Sequence, residues 1–472
     1  MGRNNTTRRG RLPKPNVRFS ETTLTQYAGA VPLLHFLNTH VELPQLLALA
    51  VPTEGRARKY PVHLVLYAFL VGALLGAVKL AHLEWLGHDS VVRKFIRLGG
   101  WPVRRVFADA LASVSDTGVA ALSSLLSTLG LRTIAGTSGV IVDFDSTALR
   151  CFGLQEKAVF GYCGKGRNRR RHHPLVASVA ASRAVVHAAY RDGSGIDENE
   201  TIGFFKEAVK RTRAALREGA TLHLRADSGF WSRAVGTWLL HEGLPFTFSL
   251  PLSCGLKALL MNTAFTRVVS SEPCPTFEPE ADEEATEHLD ETEEVIECAV
   301  LCGDALGWDP RLRIVVLRRR VFDPKAPPPG KVIAWSPDWR YQALITSTDW
   351  NPVDVWRFYN DRGDAERVFK VGKHALGLGW FIGHAFRANQ VAFLLRLLAW
   401  NVDLLFQREA EARARAQERP VARVGLQARQ HYLYRLAGRL LRTHNRWDLR
   451  LPASGRVAAL WNFFAFALAE TG

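Results

Sequence analysis

From residue 20 to about 135, apolar side chains recur at three- and four-residue intervals, the spacing that puts them on one face of a helix. The pattern predicts a Leu-rich helical segment at 33–49, an apolar helix at 64–78 and another helix at 113–129, with Gly99, Gly100 and Gly136 as punctuation. At 139 the texture changes to short β-branched runs of alternating polarity, which predict strands. The first is 140–147. Segments 175–181 and 184–190 follow, separated only by Ser182 and Arg183, and read as a hairpin. A helix at 198–217, a strand at 222–227, an amphipathic helix at 231–242 stopped by Gly243 and a strand at 246–250 complete a mixed α/β pattern.

Regularity then drops between 251 and 351, where strand-like pieces at 312–317 and 342–346 accompany a Pro-rich turn at 326–330. This stretch reads as an inserted β-rich module. Helical periodicity resumes at Pro352 and at 385–406, and an Arg-rich region follows. The resulting division is a flexible basic arm at 1–19, a helical domain at 20–136, an α/β core at 137–250 and 352–407, the insertion at 251–351, and an Arg-rich region at 408–472. No internal repeat is visible.

Segment 64–78 carries no charge, yet it falls short of the ~20 apolar residues that a bilayer span needs. Arg58, Lys59, His63, Lys79 and His82 flank it closely, so a buried core helix is expected and no membrane partner. The basic start has no apolar run behind it and does not read as a secretory signal. The six cysteines form no C-x2-C pair, which points to reduced thiols without a structural metal and to a cytoplasmic protein.

Charge narrows the class of partner. The chain has 472 residues with 61 Lys and Arg against 45 Asp and Glu, a net charge of +16. Residues 272–297 hold twelve acidic residues and no Lys or Arg, so the remainder carries +28. Such a surplus favours a polyanion, nucleic acid first and an anionic membrane surface second. The stretch 165–173, with Arg169, Arg170 and Arg171, reads as an exposed basic loop suited to phosphates. The helical domain at 20–136 is assigned to DNA binding on the same grounds. Region 408–450 is either a DNA-binding surface or an amphipathic helical pair with a solvated basic face. Trp335, Trp339 and Trp350 are candidates for stacking on an unpaired base, with core packing the plainer reading.

Three carboxylate motifs carry the candidate chemistry. Along 140–147, Asp143 and Asp145 project from one face of the strand while Val142 and Phe144 project from the other. Asp227 closes the strand 222–227 and is followed by Ser228 and Gly229, a turn in which it could also cap a helix. In segment 359–373, read as one helix, Tyr359, Arg362, Glu366 and Lys373 fall within an arc of about 60°. The plainer reading of that stripe is a solvated face with Arg362–Glu366 and Glu366–Lys370 ion pairs.

The Y-x2-R-x3-E-x6-K spacing at Tyr359, Arg362, Glu366 and Lys373 resembles the signature of bacterial insertion-sequence transposases of the DDE type. Asp145 with Thr147, and Asp227 with Ser228, Gly229 and Phe230, resemble the two aspartate motifs of the same group. The resemblance spans about 140–401 and implies a ribonuclease-H-like mixed sheet core with a β-rich insertion, flanked by helical N- and C-terminal regions. It implies that Asp145, Asp227 and Glu366 are catalytic and bind two Mg²⁺ ions, with Mn²⁺ as a substitute. It also implies that Tyr359, Arg362 and Lys373 contact DNA. Asp143 is the rival for the first aspartate, and Asp145 is preferred because the family's D-x-T falls there. The activity implied is cleavage at terminal inverted repeats and joining of 3′-hydroxyls to target double-stranded DNA, by a homodimer on DNA in a bacterial, nucleoid-associated setting. A ribonuclease-H-like nuclease without strand transfer and a domesticated, inactive DNA binder are the alternatives.

Overall fold

The alternating β-branched runs assemble into a single nine-stranded sheet. A computed structural model describes residues 23–52, 59–163, 168–195, 197–268, 296–320, 339–443 and 446–468. The basic arm, the Pro-rich turn, Trp335 and all but Ile296 and Glu297 of the acidic run lie outside the described residues. The strands are β1 (Gly139–Ser146), β2 (Leu175–Val179), β3 (Val185–Ala189), β4 (Thr221–Ala226), β5 (Phe246–Leu250), β6 (Thr266–Val268), β7 (Ile296–Cys302), β8 (Arg313–Arg320) and β9 (Trp339–Thr346). Their spatial order is β6-β7-β8-β9-β5-β4-β1-β2-β3.

β1 runs parallel to β4 and antiparallel to β2, β2 pairs antiparallel with β3, and β4 runs parallel to β5. This β3-β2-β1-β4-β5 arrangement is a ribonuclease-H-like core, three antiparallel strands followed by two parallel ones. The 251–351 segment extends that same sheet, because β9 pairs antiparallel with β5 and β6 to β8 continue outward. The extension closes the β5 edge, whose backbone groups would otherwise stand unpaired.

Seven helices matter for the argument: α1 (Val62–Leu74), α2 (Asp116–Leu131), α3 (Glu198–Arg213), α4 (Arg233–His241), α5 (Pro352–Asn360), α6 (Gly363–Val371) and α7 (Phe386–Ala416). The caps explain several boundaries. Ser115, Asp197 and Ser232 each accept a backbone N–H of the first turn of α2, α3 and α4. The expected helix at 33–49 is two helices, Val31–Thr39 and Leu43–Ala50. Glu42 between them adopts a left-handed backbone (φ 53°), and Pro44 restarts the helix where its missing N–H costs nothing. α7 runs on past the expected 385–406 into the Arg-rich region, where 408–450 contains a hairpin of Gly438–Thr443 and Arg446–Arg450 in place of the second helix of an expected pair.

Two apolar cores flank the sheet. On one face Phe144, Phe205, Phe230 and Phe248 interlock beneath α3 and α4, with Phe144 and Phe205 centroids 4.1 Å apart. The second core joins the amino-terminal helices to α7 and to residues 426–434, so the helical half packs as one body around α7. Among the described residues no single helix is long and apolar enough to cross a membrane.

Asn401 locks this helical half to the sheet. Its fully buried amide accepts from Val185 N–H at 2.8 Å and donates to Val185 O at 2.7 Å and Leu126 O at 2.9 Å. The edge strand β3 thus finds partners in a side chain. Gly130 permits the approach, since a Cβ there would sit 2.2 Å from Val185 O. Asn401→Ala leaves the buried Val185 N–H and C=O without this partner, and urea unfolding is expected to show a loss of about 3 kcal/mol.

His173, His187 and His223 are held neutral, each with its pKa brought down to about 4 by burial and then by a neighbouring arginine. His187 stacks on Phe204, and His223 packs against Phe358 and Trp350. Their folded values lie below the unfolded value near 6.5. The unfolded chain therefore binds more protons between pH 6.5 and about 4, so the stability present above pH 6.5 is lost as pH falls through that window. The urea midpoint is expected to drop from pH 7.5 to pH 5, and His187→Leu should shrink the drop.

Candidate active site

Register builds the site. β1 and β4 pair in parallel with Asp143 opposite Arg225 and Phe144 opposite Ala226. The next residue on each strand is an aspartate, so Asp145 and Asp227 stand at adjacent carboxyl ends, the position where open α/β sheets bind ligands. Asp145 Oδ1 accepts the Ser146 N–H at 2.9 Å. Asp227 Oδ1 accepts the Gly229 N–H at 2.9 Å and caps only the short turn Ser228–Phe230, while the helix it was expected to cap, α4, is capped by Ser232.

The two aspartates of β1 share a face but not an environment. Asp143 is fully buried and paired bidentately with Arg225, Nε to Oδ1 at 2.6 Å and Nη2 to Oδ2 at 2.9 Å. Arg225 also donates to Phe358 O, and its guanidinium lies 4.9 Å from the Phe358 ring centre. Asp143 is committed inside the sheet, whereas the Asp145 side chain is 16% exposed at its end.

Segment 359–373 is not one helix. α5 ends at Asn360, Arg362 precedes α6, and a π-helical turn, Gly372–Leu376, follows. The expected 60° stripe is therefore broken, yet its cations converge on the end of β1. Arg362 Nη2 donates to Phe144 O at 2.7 Å and lies 3.3 Å from Asp145 Oδ1. Lys373 Nζ donates to Thr147 Oγ1 at 2.7 Å. Tyr359 accepts from Arg362 Nη1 at 3.5 Å. Glu366 belongs to α6, which packs against β1, but its side chain lies outside the described residues, as do its expected ion pairs with Arg362 and Lys370.

The electrostatics follow the geometry. Burial works to lower the pKa of Arg362, but Asp145 first, then Tyr359, Asp227 and Asp143, outweigh it and the net shift is upward. Burial lowers the pKa of Lys373, opposed by Asp145. Among the described residues no three His, Cys, Asp or Glu side chains are grouped closely enough to hold a metal ion.

The expected basic loop at 165–173 is largely a strand. Asn168–His172 pairs with Val159–Tyr162 on one side and Leu149–Arg150 on the other, forming a small sheet that springs from the end of β1. Arg169 is exposed and Arg170 half-buried. Arg171 is buried, donating to Tyr162 O and to Gly193 O, so its guanidinium holds the sheet together rather than facing outward. Gly161 makes room for it, since a Cβ there would lie 2.4 Å from Arg171 Nε. Lys165 and Arg167 lie outside the described residues. Trp339 is half-buried under Arg318, and Trp350 stacks on His223 with 38% of its surface exposed, so neither is a fully buried core residue.

Two residues of the site escaped the sequence reading. His173 Nε2 lies 3.1 Å from Ser146 Oγ, and Arg225 neutralises Asp143. A signal for Arg225 existed: it stands two residues before Asp227, as Asp143 stands two before Asp145.

The model of the family described as "Transposase DDE domain group 1" matches residues 13–470. The chain belongs to this family. Among solved structures, the transposase is similar to a piggyBac transposase in a cryo-EM synaptic complex with hairpin DNA. Identity is 13% and the TM-score 0.44, over 85% of this chain and 79% of that one. No curated protein matches it.

The contrast between the two aspartates is measurable. Asp143→Asn leaves the Arg225 charge buried without its counter-ion and is expected to cost about 3–5 kcal/mol in urea unfolding. Asp145→Asn, at the less buried end of the strand, where Arg362 keeps a hydrogen bond to Phe144 O, is expected to cost less, about 1–2 kcal/mol. Equal losses would remove the distinction.

Proposed function

We propose that this transposase is an insertion-sequence enzyme of the Y-R-E-K type, binding the terminal inverted repeats of its element as a homodimer. It cleaves the ends and transfers the freed 3′-hydroxyls to target DNA, in a bacterial cytoplasm and close to the nucleoid. The observation that carries the reading is the pair of strand-end carboxylates, Asp145 and Asp227, with Arg362 and Lys373 converging on the same end of β1.

The donor set suits a hard divalent cation. Carboxylate oxygens are the ligands Mg²⁺ and Mn²⁺ prefer, and a cation, the Arg362 guanidinium, already lies 3.3 Å from Asp145 Oδ1. Asp145, Asp227 and Glu366 would hold the metal. Two Mg²⁺ ions, when bound, supply activation of a water or 3′-hydroxyl and stabilisation of the leaving oxygen. The chain's own groups position the strand. Arg362 offers a planar fork to a phosphate, Lys373 a point charge beside Thr147, and Tyr359 keeps the Arg362 fork oriented. Arg169 and Arg170, on the small sheet beside the site, add phosphate contacts.

The test is Mg²⁺-dependent cleavage and joining on linear DNA that carries the ends flanking the gene. Asp145→Ala, Asp227→Ala and Glu366→Ala are each expected to lower cleavage by on the order of 10³-fold or more while DNA affinity stays within a few-fold. Arg362→Ala is expected to weaken both. Cutting without joined products would replace the proposal with a nuclease, and end binding without cutting would replace it with an inactive binder.

A further inference from the structure

The small sheet beside the site exposes more aromatic surface than its own packing uses. Phe160 is 69% exposed and Tyr162 60% exposed, on one strand at positions i and i+2, hence on one face. Across the pairing, Phe160 faces Arg170 and Tyr162 faces Asn168. The Arg170 guanidinium lies 5.9 Å from the Phe160 ring centre, and its buried Nε has no hydrogen-bond partner among the described residues. Two residues past the neighbouring strand Leu149–Arg150, Phe152 is 83% exposed, with the Arg150 guanidinium 4.6 Å from its ring centre.

The base of this sheet is pinned. His172 packs against Tyr190, Phe381 and Phe386, its two ring nitrogens lie within hydrogen-bond reach of Tyr190 Oη and Glu156 O, and Arg171 ties the strands together from within. The exposed rings are thus held in place, not swept about on a loop. Charge states the kind of partner: residues 149–173 contain seven Lys and Arg and one acidic residue, Glu156. Exposed rings interleaved with arginines match a polyanion that also offers flat apolar faces.

We infer that this face binds unpaired DNA, with Phe160 and Tyr162 stacking on bases and Arg170, on the same face, holding the adjoining phosphates. A closed duplex presents phosphates and groove edges, and its base faces are already stacked on one another. Only an unpaired strand has π-faces free for the two rings. The position fits a strand opened at the cut: the sheet leaves β1 directly after Asp145, and its last strand returns through His173, which sits against Ser146. The inference rests on the DNA-end chemistry proposed above and adds the form of DNA this surface recognises.

Fluorescence anisotropy of the full chain tests it, using a labelled dT oligonucleotide of about 20 nucleotides and a duplex of equal length at the same salt. Phe160→Ala and Tyr162→Ala are each expected to weaken single-strand binding about tenfold, leave duplex binding within about twofold, and leave the unfolding midpoint unchanged. Phe160→Trp should keep the single-strand affinity, and Arg170→Ala should weaken both forms in proportion. Equal losses on both DNAs, or no loss on the single strand, overturn the inference while the DNA-end reading stands. A wild-type chain that binds neither DNA overturns both. Conversion of a dimer to a monomer by Phe160→Ala, with single-strand affinity intact, assigns the face to a second copy of the chain instead.

Discussion

Asp143 and Arg225 meet inside the sheet, on neighbouring parallel strands, with almost no water to screen either charge. Such a pair contributes little net stability over an apolar equivalent, because both ions must be stripped of water first. What it does contribute is register. Sliding β1 against β4 by one residue would turn Asp143 to the opposite, apolar face among Phe144, Phe205 and Phe248 and leave Arg225 buried without its counter-ion. The only register that satisfies the pair also brings Asp145 level with Asp227. The geometry of the candidate site is therefore inherited from an interaction two residues inside it.

The same economy governs how the two halves of the molecule meet. Parallel strands need long crossovers, and here α3 supplies the one between β3 and β4 and α4 the one between β4 and β5. The opposite face must be covered by elements from far along the sequence. α7 does this, and Asn401 gives the β3 edge the hydrogen bonds that another strand would have made. Sheet and helical body are thus coupled through satisfied polar groups as well as apolar contact, which fixes orientation where apolar packing alone would allow sliding.

Much of the core was legible from local pattern. Alternation placed β1 to β5, and helical periodicity placed α2, α3 and α4 to within a few residues. What local pattern lacks is pairing. The role of Arg225 depends on which strand lies beside β4, and a lone arginine in an apolar run reads as a snorkelling side chain. Segment 165–173 was read as a loop on its composition, yet Val159–Tyr162 and Leu149–Arg150 give its backbone partners on both sides. Burial of Arg171 follows from Gly161 opposite, a contact with no local signature. The Asp145 preference, by contrast, came from a resemblance, and the burial of Asp143 now supplies a physical ground for it.

The break at Arg362 shows why a helical stripe was the wrong expectation for the right residues. In an unbroken helix Arg362 and Lys373, eleven residues apart, would be separated by about 16 Å along the axis. Their partners on β1, Phe144 O and Thr147 Oγ1, are three residues apart, about 10 Å along a strand. α5 closes early and a π-helical segment widens the turn after α6, and the two cations, distant in sequence, meet one strand end. Gly363 and Gly372 stand at the start of α6 and of that wider turn. A Cβ on Gly372 would fall 2.2 Å from Leu378 Cδ1, so a larger residue there would require the buried Leu378 side chain to shift. Periodicity named the polar residues of 359–373, and two glycines that would merely weaken a straight helix mark where the chain departs from one.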